Sequence, residues 1–107
     1  MFPGNMGNMQ AMMKKVQKMQ ADMLKMQEAL KARTFEAAVG GGAVTVTANG
    51  KKELLSVKIA PSAVDPEDVE MLEDMILSAV NEVFKQVDEV SEKEMSKVTG
   101  GMKLPGM

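Results

Sequence analysis

"TFEAAVGGGAVTVTANGKKELLSVKIAP", residues 34–61, is the stretch that decides the fold. Phe35, Ala37 and Val39 alternate with Glu36 and Ala38. Beyond Gly40-Gly41-Gly42, Val44, Val46 and Ala48 alternate with Thr45 and Thr47. Beyond Asn49-Gly50-Lys51-Lys52, Leu55, Val57 and Ile59 alternate with Ser56 and Lys58. A period of two, β-branched residues and two Gly-centred turns predict three short strands, 34–39, 43–48 and 53–60, in an antiparallel meander. Pro61 has no N–H to donate and ends the last strand.

The pattern changes period on both sides. Upstream, "MQAMMKKVQKMQADMLKMQEAL" (residues 9–30) places Met9, Met12, Val16, Met19, Met23, Met26 and Leu30 at steps of 3, 4, 3, 4, 3 and 4. Those are the a and d positions of a heptad repeat, and they predict a helix over 9–33, about 37 Å long. Downstream, Asp65-Pro66 has the form of an N-cap with proline at the first helical position. Val69, Leu72, Ile76, Val80, Val83, Val87 and Val90 then keep a helical spacing, which predicts a second helix over 66–97. Residues 1–8 and 99–107 lack periodicity and are expected to be loose tails. The expected fold is α+β: one domain over 9–98, ordered α-β-β-β-α, with a three-stranded meander flanked by two long helices.

Size adds a constraint. Three strands of this length cover only about 20 Å by 10–15 Å. Neither helix can bury its whole apolar stripe on so small a sheet, and an identical chain is the simplest cover for the overhang. An intertwined homodimer is expected.

Composition excludes several functions. The chain has 107 residues, 45% apolar and 26% charged, an ordinary balance for one globular domain. No stretch approaches the roughly 20 apolar residues of a membrane span. The N-terminus lacks the pattern of a secretory signal, and a cytoplasmic protein is expected. There is no His, Cys, Tyr or Trp. Ser62 and Ser78 therefore have no imidazole to activate them, and zinc has no nitrogen or sulfur ligand. Glu67, Glu70, Glu73 and Asp74 are dense but lack the spacing of a calcium loop. Gly40-Gly41-Gly42 is not followed by Lys-Ser or Lys-Thr, so it is a hairpin turn and not a phosphate loop. No catalytic, cofactor or metal residue is expected, and neither is a small-molecule substrate.

The net charge of −2 conceals an asymmetry. Residues 9–33 carry six basic side chains against two acidic ones, a net of +4, whereas residues 65–97 carry eleven acids against three lysines, a net of −8. With Met9 at position a, Lys14 falls at f, Lys18 and Lys25 at c and Lys31 at b, all away from the apolar seam. Lys51 and Lys52 add a second basic point at the hairpin tip. Such a surface holds phosphates without reading bases. A helix-turn-helix and a zinc finger are absent, and Phe2, Phe35 and Phe84 are too scattered for a stacking platform. The expected partner is the backbone of double-stranded DNA, read with little sequence preference.

The whole pattern resembles the YbaB/EbfC family of small bacterial nucleoid-associated proteins. The resemblance is carried by "MKKVQKMQADMLKMQEAL", the "GGGAVTVTANGKKELLSVKI" meander, "DPEDVEMLEDMILSAVNEV" and the ending "MSKVTGGMKLPGM". It implies a tweezers-shaped α/β homodimer that binds DNA and alters its conformation, with roles in nucleoid organisation and transcription regulation. It carries no DNA-contact motif residue by residue, so the candidate contacts come from the charge map. They are Lys14, Lys15, Lys18, Lys25, Lys31 and Arg33 on the first helix, with Lys51 and Lys52 at the hairpin tip. The alternative is a protein–protein adaptor that docks a partner through its Met-rich or acidic helix, with DNA binding incidental.

Overall fold

A computed structural model describes residues 3–100, with side chains from Met9 onward. The order is α1 (Pro3–Ala32), β1 (Thr34–Val39), β2 (Val44–Asn49), β3 (Leu54–Ile59), a 3-10 turn (Pro61–Ala63) and α2 (Val69–Thr99). The strands form one antiparallel sheet in the order β1-β2-β3. This is the expected α-β-β-β-α meander, with strand ends within a residue of their predicted places.

The helices depart from expectation at their starts. α1 begins at Pro3 instead of Met9, so residues 3–8, expected in a tail, are helical. Proline is tolerated in a first helical turn, where its missing N–H leaves nothing unpaired. α2 begins at Val69, and its N-cap is Asp68, whose side chain accepts from the Met71 N–H. Asp65 caps a turn instead. Its Oδ1 accepts from the Glu67 N–H at 2.9 Å and its carbonyl from the Asp68 N–H at 2.9 Å. Pro66 is therefore the second residue of a β-turn, a position its fixed φ suits. α2 runs to Thr99 and stops at Gly100, whose φ of 65° is the left-handed cap that glycine adopts without strain. Beyond Gly100, the expected C-terminal tail lies outside the described residues.

The core is small and made mostly of small or β-branched side chains. Phe35, Ala37, Val44, Val46 and Ala48 line one face of the sheet and meet Ala79, Val83 and Val87 of α2. Those three α2 residues recur every fourth position, so they share one face of the helix. The opposite face of the sheet is polar, and Thr47 and Ser56 join their hydroxyls across β2 and β3 at 2.7 Å.

α2 lies over β1 and β2 only. On β3, Leu54, Val57 and Ile59 stand opposite Ala48, Val46 and Val44 on the α2 side of the sheet. All three are nevertheless exposed. The simple alternation expected for this strand is broken by a bulge. Leu54 pairs with Ala48 and Ser56 with Thr47, so Leu55 is the extra residue.

Candidate nucleic-acid interface

The interface is built on α1. Met, Lys, Gln and Ala dominate this helix and are strong helix formers. At 1.5 Å per residue it is about 45 Å long. Among the residues whose side chains are described, only its C-terminal half is anchored. Leu30 is buried, and its carbonyl accepts from the Gly50 N–H at 2.9 Å and the Arg33 N–H at 3.1 Å. From Met9 to Lys18 every side chain is exposed. This half of the helix stands clear of the rest of the protein as an arm, within a molecule 78 Å along its longest axis.

The structure groups the candidate cations unevenly. Lys14, Lys18 and Lys25 project from α1 within about 40° of one another, on the side away from the Met seam. The steps between them along the axis are about 6 Å and 10 Å, or roughly two and three phosphate steps of one DNA strand. All three are exposed. The ion pairs among the described residues are Lys52–Asp88 and Lys97–Glu94, so no α1 lysine is held by a carboxylate there. Lys15 flanks the row, and Lys31 lies on another side of the helix. Arg33 follows the helix end, with its guanidinium 5.3 Å from the centre of the Phe35 ring.

The two hairpin lysines separate. Lys51 is exposed beside the end of α1, at the rim of a hollow of about 270 Å³ that it shares with Met26, Gln27, Leu30, Ser91 and Met95. Lys52 turns the other way. Its Nζ lies 3.2 Å from Asp88 Oδ2 and 5.4 Å from the centre of the Phe84 ring. These contacts hold Lys52 against α2 and away from the α1 row.

Two residues that the charge map passed over position this hairpin. The Asn49 Oδ1 accepts from the Lys51 N–H at 2.9 Å and the Glu53 N–H at 3.1 Å, while its Nδ2 donates to Glu53 Oε1 at 2.8 Å. Gly50 touches α1 so closely that a β-carbon there would collide with the Leu30 carbonyl. An Asn-Gly pair signals a turn in any sequence, but nothing in the pair announces a helix packed against it. Lys58, also outside the expected set, is exposed on β3 opposite Thr45. Among the described residues no cluster of acids is placed to hold a metal ion. None of the described helices is long and apolar enough to cross a membrane.

A small antiparallel sheet backed by one acidic helix, with a second, basic helix projecting from it, defines a class of small, elongated α+β proteins with an exposed cationic arm. Within that class, the chain belongs to the YbaB/EbfC DNA-binding family, whose model matches residues 6–102. It is 57% identical to a nucleoid-associated protein of Alkaliphilus metalliredigens over 108 residues, covering 99% of this chain and 95% of that one. It is 59% identical to a nucleoid-associated protein of Moorella thermoacetica over 101 residues, covering 94% of this chain and 97% of that one. Among solved structures, an uncharacterized protein of Helicobacter pylori matches with a TM-score of 0.63 and 29% identity, covering 73% of this chain and 90% of that one.

Proposed function

We propose that this chain is a homodimeric nucleoid-associated protein of the bacterial cytoplasm. It grips duplex DNA by its backbone with low sequence specificity, changes the path of the duplex and so contributes to nucleoid organisation and gene regulation. The observation that carries this reading is the row of Lys14, Lys18 and Lys25, paired with no carboxylate among the described residues, on an arm free of the protein body. Lys15, Lys31, Arg33 and Lys51 extend the cationic surface, and Lys52 contributes least because Asp88 already neutralises it. Membership of a nucleoid-associated DNA-binding family favours this function over an adaptor.

Dimerisation is supported by the uncovered side of the sheet. β3 is an edge strand, and it leaves Leu54, Leu55, Val57 and Ile59 between 37% and 53% exposed. An apolar edge of this kind is a template for pairing with another chain. Two copies joined there carry two basic arms, and the second arm binds at the effective concentration set by the first.

The test is a salt titration of duplex binding, with wild type compared with Lys14→Gln/Lys18→Gln/Lys25→Gln. Wild-type affinity should fall steeply between about 50 and 200 mM salt. The variant should bind more weakly at low salt, and its log–log slope should flatten by about 0.9 for each phosphate that it no longer neutralises. An unchanged affinity and slope would exclude this face.

A further inference from the structure

The phosphate-binding reading uses the outer side of the α1 arm and leaves the seam unexplained. Met9, Met12 and Val16 are 63%, 65% and 52% exposed, although they occupy consecutive a and d positions. Met23 lines a shallow hollow of about 280 Å³ with Gln20, Leu24 and Gln27. Within one protomer Met9, Met12 and Val16 are uncovered, whereas Met19, Met23 and Met26 are half-buried and Leu30 is buried.

We propose that the seam is a second self-association surface, on which α1 of one dimer pairs antiparallel with α1 of another. Strict heptad spacing specifies a helical partner whose seam has the same spacing. Charge then selects the orientation. The flanking g positions carry Lys15 and Asp22. An antiparallel pair centred between Gln17 and Lys18 sets Met9 against the partner's Met26, Met12 against the partner's Met23 and Val16 against the partner's Met19. The same register sets Lys15 against the partner's Asp22, and two-fold symmetry repeats every one of these contacts. A parallel pair instead faces Lys15 and Asp22 with the uncharged Gln20 and Gln27. In the antiparallel register the tip of the partner's arm reaches the hollow of about 270 Å³ between α1, the hairpin and the end of α2.

Lys14 at f and Lys18 and Lys25 at c stay outside this pairing, on both helices. Paired arms therefore keep their phosphate-binding rows, and two DNA-bound dimers become linked. The consequence is bridging of duplexes, which rests on the function proposed above. The pairing itself does not.

The chain has no native cysteine, so introduced thiols report the pairing directly. Full-length Met12→Cys and Met23→Cys proteins are mixed under mild thiol–disulfide oxidation and run on a non-reducing gel. The expected result is a covalent dimer in the mixture and little in either protein alone. Cross-linking of each protein alone would show parallel pairing and overturn the proposal, as would no cross-linking in any sample. Lys15→Asp in the Met12→Cys protein should lower the yield severalfold, and adding Asp22→Lys to the Met23→Cys protein should restore it. A loss without restoration would remove the charge argument and with it the orientation. Sedimentation of the wild-type chain separates the two readings. A monomer that still cross-links refutes the β3 dimer alone, and a dimer that never cross-links refutes the seam alone.

Discussion

Gly50 shows how one residue joins two elements. Its φ lies outside the left-handed region, so turn geometry does not explain it. The positive φ of this hairpin sits at Lys52, at 61°. What requires glycine is the close approach to Leu30, because a β-carbon has no room beside that carbonyl. Gly50→Ala should lower stability by about 1–3 kcal/mol, the usual range for overpacking, as measured by denaturant midpoint. Asn49 is 8% exposed, and its amide bonds three groups of the loop. Asn49→Ala leaves two backbone N–H groups without that acceptor and should cost about 1–3 kcal/mol by the same assay. Lys52 sits in a pair whose partners are 45% and 57% exposed. Lys52→Ala should therefore change stability by less than about 1 kcal/mol and leave duplex affinity near wild type. The "NG" signal was legible in the sequence as a turn. The division of labour between Gly50 and Lys52 was not, because it depends on where α1 ends in space.

Among the elements, α2 and the sheet are the best determined. Ala79, Val83 and Val87 are at most 1% exposed against Val44 and Val46. Val83→Ala removes two methyl groups from a site with no room to collapse and should cost about 2–3 kcal/mol in thermal or denaturant unfolding. Strand alternation and helical spacing placed the three strands and the bodies of both helices, but not the 3-10 turn or the first turns of α1, since the period-two and heptad patterns follow from which side faces apolar atoms. The errors fall where local capping competes. Asp65 and Asp68 both have the chemistry of an N-cap, and the choice was made by the β-turn through Pro66. The bulge at Leu54 and Leu55 was equally hidden, because either leucine satisfies an apolar position. For the candidate site, the heptad pattern pointed to the outward face of α1. It had no means of showing that Lys52 is drawn to Asp88, thirty-six residues away.

At the scale of the whole molecule, the unequal cover of the sheet matters most. α2 shields two strands and leaves the third, so the protomer keeps an apolar edge. Val57→Glu places a charge on that edge, outside the protomer core. If the proposed dimer forms at this edge, the variant should be a monomer in light scattering and bind the duplex about 10²–10⁴-fold more weakly through loss of the second arm, the range of bivalent gain. A Val57→Glu protein that stays dimeric would relocate the interface. The free-standing part of α1 has a separate thermodynamic consequence. A helix of ten or so residues without tertiary support is marginal in water. The backbone amides of residues 9–18 should exchange with deuterium far faster than those of residues 79–87, which open only with the core. Ordering the arm then becomes part of every binding event it makes. Substitutions to alanine at its exposed glutamines, such as Gln10 and Gln17, should raise affinity without adding a contact, by removing conformational entropy from the free state.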